Sequence, residues 1–460
     1  MPQPRLSRRQ ILAGMATLPA FPSLAQANGT PQLLRLMPST QQIAPEGYPA
    51  TDLWTINGRL PGEALHAAQG DRLRVTVQND LPQPSALHWH GIRIQNTMDG
   101  VPGITQDPIA PGARFDYDFA LPDAGTYWYH SHAQAIEQVE RGLQGPLIVN
   151  EAEAPDVDQD LTLMLDDMRL TREAAISEGF DNGHDLSHGG RLGNVLLTNG
   201  TMQAAYPVQQ GNRLRLRLIN SANARIFTLG LQGLRGWIMA LDGMPLPAPQ
   251  NLPDRITLAP AQRVDLFVDV TAAAGEDAFL IHFDRDGGFE QARFLVSGAG
   301  TARPAPPPLP PNPDFPIDLT QARNVDLTME GGAMAWLQKA QLDGVALDGR
   351  ALAQIGKFWA FNGHVGRPAE PLVTANLGET IRVTLRNTTR WPHAMHLHGM
   401  HFAEVLPDGQ LGPLRDTLLM QPGDTRDIAF QAHNPGDWLF HCHMLGHHMA
   451  GMGTWVRVLG

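Results

Sequence analysis

The chain has 460 residues, a formal net charge of -12 and no basic block, so a phosphate-tracking surface has nothing to be built from and nucleic acid is set aside as a partner. Hydrophobic residues make up 42% and charged residues 17%, the balance of a globular protein with sizeable cores and not of a disordered or membrane-spanning one, and the length allows about three domains. With 46 glycines and 38 prolines spread along the chain and few long helical patterns, an all-β architecture is expected.

Residues 1–27 read as an address. Ser7-Arg8-Arg9-Gln10-Ile11-Leu12 opens an apolar run broken by Pro19 and Pro22, and Ala25-Gln26-Ala27 is a small-residue cleavage site. Export by the twin-arginine route to the periplasm is the expectation, and the run is too short to span a bilayer comfortably. The single cysteine, Cys442, can form no internal disulfide, so its neighbours must decide what it does.

One strand pattern then recurs three times. Residues 69–79 form a Gly turn followed by apolar/polar alternation (Leu73, Val75, Val77), repeated at 210–220 (Leu214, Leu216, Leu218) and 377–387 (Ile381, Val383, Leu385). Such alternation predicts a half-buried antiparallel strand. A second segment, a Pro turn leading to a closing strand, runs from Ala110-Pro111-Gly112 to His130, from Gln421-Pro422-Gly423 to His441, and more weakly from Ala259-Pro260-Ala261 to His282. Three Greek-key β-sandwich domains are expected, over residues 28–150, 151–305 and 306–460, with the proline-rich stretch 303–316 as an extended spacer. The outer repeats end in histidine clusters, whereas the middle one has Ser221-Ala222-Asn223-Ala224 and a lone His282. The middle domain therefore reads as a spacer without metal ligands that lets the outer two meet.

Ten of the 18 histidines sit in His88-Trp89-His90-Gly91, His130-Ser131-His132, His393-Ala394-Met395-His396-Leu397-His398-Gly399 and His441-Cys442-His443 with His447. On a strand, residues two apart share a face, so each His-x-His pair offers two imidazoles to one metal or metal pair. Four pairs give eight inward nitrogens, a count that suits three copper ions with open positions, and more than a closed tetrahedral zinc site needs. Cys442 faces the other way from His441 and His443, and its thiolate with His393, His447 and Met452 makes a His2Cys site with an axial thioether, the ligand set of a blue electron-transfer copper.

On these motifs the chain resembles the multicopper oxidase family of laccases, ascorbate oxidase and bacterial cuprous oxidases, over essentially all of its mature length. The resemblance implies cupredoxin-like domains and four copper ions: a type 1 copper on His393, Cys442, His447 and axial Met452; a type 2 copper on His88 and His396; and a type 3 pair on His90, His130, His132, His398, His441 and His443. It implies four one-electron oxidations of a small reductant, phenols and aromatic amines or Cu(I), coupled to reduction of dioxygen to water. An acid follows the first His-x-His motif in the family, and Asp99 stands there, read either as a proton carrier or as the turn residue of Met98-Asp99-Gly100. Some bacterial relatives have a Glu just before the blue-site histidine, where this chain has Gly446. His448 is expected beside the site or exposed, and His401 and His433 are expected to be structural. Three further readings stay open: a copper nitrite reductase-like enzyme, an exported relative that has lost its metals, and a copper-tolerance protein that binds without turnover. The oligomeric state leaves no signal.

Overall fold

The computed structural model describes residues 31–460, so the leader read at 1–27 lies outside the described residues. Strands dominate and pair into sheets of four and four, six and five, and six and five strands in chain order, with one further two-stranded ribbon. This is the all-β, three-sandwich architecture that the repeats predict.

The repeated strand occupies the same place in each unit, but it is not purely antiparallel. Arg72–Asn79 pairs in parallel with Gln32–Gln41 on one side and antiparallel with Arg114–Ala120 on the other. Arg213–Asn220 and Thr380–Asn387 repeat the arrangement, each between one parallel and one antiparallel neighbour. Alternation reports which face is apolar, and both ladder types satisfy it, so the parallel partner left no trace in the sequence.

The middle copy departs further from expectation, because all eight of its residues are buried. Leu214, Leu216 and Leu218 enter the sandwich core, while Arg213, Arg215 and Arg217 lie under the first unit and the proline-rich stretch. Arg215 spans Glu151 (2.8 Å) and Asp265 (2.6 Å), Arg217 meets Asp160 (2.7 Å) and the Thr126 hydroxyl (3.0 Å), and Arg213 joins Asp269 to the Pro304 carbonyl. Guanidinium groups survive burial here because their donors are met by carboxylates and carbonyls. The proline-rich stretch is likewise docked: Asn312 bonds both the N–H and the carbonyl of Ala124, and Leu309 is buried.

Residues of the first and last units share one continuous apolar core, from Leu34 and Trp89 through to Phe440 and Val456, whereas the middle sandwich has its own. The first and last units are thus packed against each other. Arg215→Ala would leave Glu151 and Asp265 short of a buried partner and is expected to cost about 3–5 kcal/mol; an unchanged thermal or denaturant midpoint would show that the layer is not structural.

Candidate metal centre

The four His-x-His pairs meet where those two outer units touch. Leu87–His90 runs antiparallel to Gly125–Ser131 with His88 opposite His130, and His393–Leu397 runs antiparallel to Gly436–Cys442 with His396 opposite His441 and Met395 opposite Cys442. Strand alternation sends His396 and His441 to one face and Cys442 to the other. Across the junction the rings interleave, with His88 4.0 Å from His398 and His90 3.8 Å from His396 between centroids. His132 completes the group, 5.2 Å from His398 and 5.4 Å from His441. All eight are therefore brought together, four from each end of the chain.

Most of these rings have one nitrogen fixed outward. His88 Nδ1 donates to the Asp99 carbonyl (2.8 Å), His396 Nδ1 to the Asp416 carbonyl (2.9 Å), His130 Nδ1 to the Ser131 carbonyl (3.0 Å), His441 Nδ1 to the Cys442 carbonyl (3.0 Å) and His398 Nδ1 to Asp99 Oδ2 (2.9 Å). A neutral imidazole that donates through one nitrogen carries a lone pair on the other. His398 Nε2 and His441 Nε2 then lie 3.1 Å apart as two lone pairs, and His130 Nε2 is 3.3 Å from His443 Nε2. His88 Nε2, His90 Nδ1 and His396 Nε2 are buried without a partner. Facing lone pairs and orphaned buried nitrogens are unfavourable unless a cation lies between them, and outward bonds of this kind are what orients metal-binding imidazoles. The residues fit metal ions.

A second group lies on the far side of the same tripeptide. Cys442 Sγ is 3.7 Å from His393 Nδ1 and 3.6 Å from His447 Nδ1, and the two nitrogens are 3.0 Å apart. His447 Nε2 donates to the His188 carbonyl (2.6 Å) and His393 Nε2 meets the Thr389 hydroxyl (2.8 Å). Met452, fully buried, is held by backbone bonds to Cys442 and His447. Burial pushes the Cys442 thiol up to about 12, so a thiolate there requires a cation beside it. Burial, reinforced by neighbouring imidazoles, holds His90, His130, His132, His393, His398, His441 and His443 well below the usual 6.5, keeping them neutral and ready to ligate.

Asp99 is wholly buried at the end of the short turn Asn96–Met98, so it is a turn residue that also touches the centre: its carboxylate reaches His398 and its carbonyl reaches His88. Its counterpart Asp416 was missed. Asp416 Oδ1 lies 3.2 Å from His90 Nε2, its carbonyl takes His396 Nδ1, and its carboxylate is bound by Arg263 at 2.6 and 2.9 Å. Arg263 comes from the middle unit, which is therefore more than a spacer; His282, as expected, stays apart, packed on Phe227. Arg263 holds the Asp416 carboxyl well below the usual carboxylate range, against the opposing effect of burial. The sequence offers only an indirect signal: an acid follows His-x-His-Gly in the first repeat, but its counterpart in the last repeat stands at a different distance from the motif. Gly91, at φ +86°, shows why that motif needs its glycine, since a Cβ would fall 2.2 Å from Arg263 Nη2.

Of the remaining positions, His448 is beside the centre and not exposed, its ring 4.4 Å from His441; His401 is buried near Asp416; and His433 stacks on Phe315 at 3.7 Å. Gly446 packs against Ile136 and Leu186.

Three stretches of the chain, 38–154, 125–301 and 344–459, match the multicopper oxidase family. The chain is 31% identical to multicopper oxidase MmcO of Mycobacterium tuberculosis, over 89% of this chain and 83% of that one. The chain belongs to the multicopper oxidase family. Among solved structures it is similar to Lac15 from a marine microbial metagenome (42% identity, 93% of this chain and 100% of the other, TM-score 0.76) and to the multi-copper oxidase of Pseudomonas thermotolerans (30% identity, 93% and 99%, TM-score 0.81). It is an oxidoreductase with copper cofactors that couples oxidation of a reducing substrate to reduction of dioxygen to water. None of the described helices of this oxidase is long and apolar enough to cross a membrane.

The neutral histidines give the metal-free oxidase a pH dependence. Their folded-state pKa values lie below 6.5, so the unfolded chain binds more protons and stability is lost as pH falls through 6.5. The thermal midpoint of the apoprotein should drop between pH 7.5 and about pH 5.5; equal midpoints would contradict the buried, neutral state of the centre.

Proposed function

We propose that this oxidase holds four copper ions and that their ligands divide as follows. His393, Cys442, His447 and Met452 would hold the type 1 ion; His88 and His396 would hold the type 2 ion; and His90, His130, His132, His398, His441 and His443 would hold the type 3 pair. The observation that carries this reading is the tripeptide His441-Cys442-His443, whose sulfur faces His393 and His447 while its two imidazoles face the eight-histidine group. Bound copper supplies the one-electron redox steps and the open positions at which dioxygen is reduced.

The chain's own contribution is placement, conduction and protons. The outward hydrogen bonds fix most of the rings so that little reorganises on electron transfer. Cys442 ties the electron-accepting group to the oxygen-reducing group through one peptide on either side. Asp99, fully buried between His88 and His398, is positioned to pass protons to reduced oxygen, with the Oδ2 contact to His398 supporting that role.

The reductant is a phenol, an aromatic amine or Cu(I). Laccase-1 of Botryotinia fuckeliana and copper resistance protein A of Pseudomonas syringae pv. tomato are both relatives, and both classes of reductant are consistent with an axial Met. The twin-arginine leader read at 1–27 supports export to the periplasm.

Cys442→Ser is expected to remove the intense visible band and turnover while leaving the fold intact; a retained band would refute the type 1 assignment. His130→Ala is expected to keep the band and stop oxygen uptake, and uptake at the wild-type rate would show that the cluster ligands are assigned wrongly.

A further inference from the structure

The middle repeat has Ser221-Ala222-Asn223-Ala224 where the outer repeats have histidine clusters, and Asn223 is only 2% exposed. It lies against the loop that joins the two metal groups. That loop runs from Cys442 and His443 to His447, and its second part is the short helix Leu445–Met449. A helix begins with N–H groups that have no partner inside it. Met444, at the cap position, supplies no side-chain bond. The Leu445 N–H, midway between His443 and His447, instead donates to the Asn223 carbonyl at 3.0 Å. A residue of the middle unit thus caps the helix that carries one member of the cysteine group.

Asn223 is itself fixed from the first unit. Its side-chain Nδ2 donates to the Ile136 carbonyl at 2.9 Å and to Glu140 Oε2 at 3.0 Å. Both acceptors lie on the helix Ala135–Glu140, which starts three residues after His132. Glu140 is held in turn: Oε1 accepts from the Arg169 N–H at 2.8 Å, and Oε2 lies 3.2 Å from Nε of the buried Arg191. A buried network whose acceptor is so enclosed is rigid, and it leaves the Asn223 amide one orientation. The three units therefore meet at Asn223, with its side chain on the first and its carbonyl on the last. The N–H groups of His443 and His447 bond within the last unit, to the Ala394 carbonyl (2.6 Å) and the Met444 carbonyl (2.8 Å). The middle unit holds the loop by two carbonyls, that of Asn223 on Leu445 and that of His188 on His447.

We propose that Asn223, braced by Glu140, is a positioning residue for electron transfer: it fixes His443 and His447 relative to each other, and with them the link between the cysteine group and the eight-histidine group. This rests on the reading of those two groups as copper sites. Asn223 and Glu140 act through the Leu445 peptide and not by touching metal or substrate.

The test compares the copper-loaded wild type with three variants. Asn223→Ala keeps the carbonyl but frees it from the first unit; Glu140→Gln turns an amide N–H towards Asn223 Nδ2; and Arg215→Ala weakens a different buried contact, that with Glu151 and Asp265. Hydrogen exchange over residues 443–450 is expected to quicken at least about tenfold in Asn223→Ala, less in Glu140→Gln, and to stay within about twofold in Arg215→Ala. In Asn223→Ala the visible band is expected to be displaced. The electron step from the reduced cysteine group to the eight-histidine group, followed without oxygen after pulsed reduction, should slow about tenfold or more in that variant, as loss of an orienting partner does. Arg215→Ala should match wild type in both. Wild-type exchange, band and electron step in Asn223→Ala would overturn the proposal. Faster exchange with an unchanged band and electron step would also overturn it, leaving Asn223 a structural clamp alone. So would the same changes in Arg215→Ala, since general loosening would then explain them. If Asn223→Ala does not fold, Glu140→Gln decides by the same three readings. If wild type lacks the band, the copper reading of the cysteine group fails, and exchange still decides whether Asn223 holds the loop.

Discussion

Two buried carboxylates hold the outer nitrogens of histidines from opposite ends of the chain. Asp99, from the first unit, takes His398 with its carboxylate and His88 with its carbonyl; Asp416, from the last unit, takes His90 with its carboxylate and His396 with its carbonyl. Each acid therefore braces one ring from its own unit and one from the other. The inner nitrogens, unprotonated for that reason, are left facing one another in a space that only cations make favourable. The shared apolar core, the interleaved rings and the single tripeptide that joins the two metal groups all depend on that junction being held in one register.

A carboxylate buried among neutral rings would itself be costly without a counter-charge, and this is where the middle unit enters. Arg263 supplies two hydrogen bonds to Asp416 and is itself tied to the Ala261 and Asp242 carbonyls. The same unit buries three arginines of one strand, one of them bonded to Thr126 of the first unit, and lays its His188 carbonyl on His447. The middle unit thus braces the eight-histidine group from one side and covers the cysteine group from another.

How much of this was legible depends on whether the information was periodic or relational. The sandwiches were legible because Leu73, Val75 and Val77 and their two counterparts repeat with period two, and the eight imidazoles because pairs two residues apart sit at equivalent strand ends. Asp99 was legible by its place after a motif. Asp416 was not, since it lies 18 residues beyond His398, within a hairpin whose length the sequence leaves open. Arg263 and the arginines at 213, 215 and 217 looked like the solvent face of an alternating strand. Their partners, Glu151, Asp160 and Asp265, are distant in sequence, and only the packing of one unit on another reveals that the polar face is internal. The His188 carbonyl is a backbone group and carries no side-chain signature at all.

The claim that these carboxylates build the centre is tested most directly by copper per chain, measured together with the visible band, in wild type and in Asp416→Asn. The substitution keeps the shape, weakens the hold of Arg263 and should disturb His90 and His396 without touching Cys442. Four ions with the band in wild type, and a retained band with a copper count falling towards one in the variant, is the result this account requires. A variant that keeps both the full count and the band would contradict it.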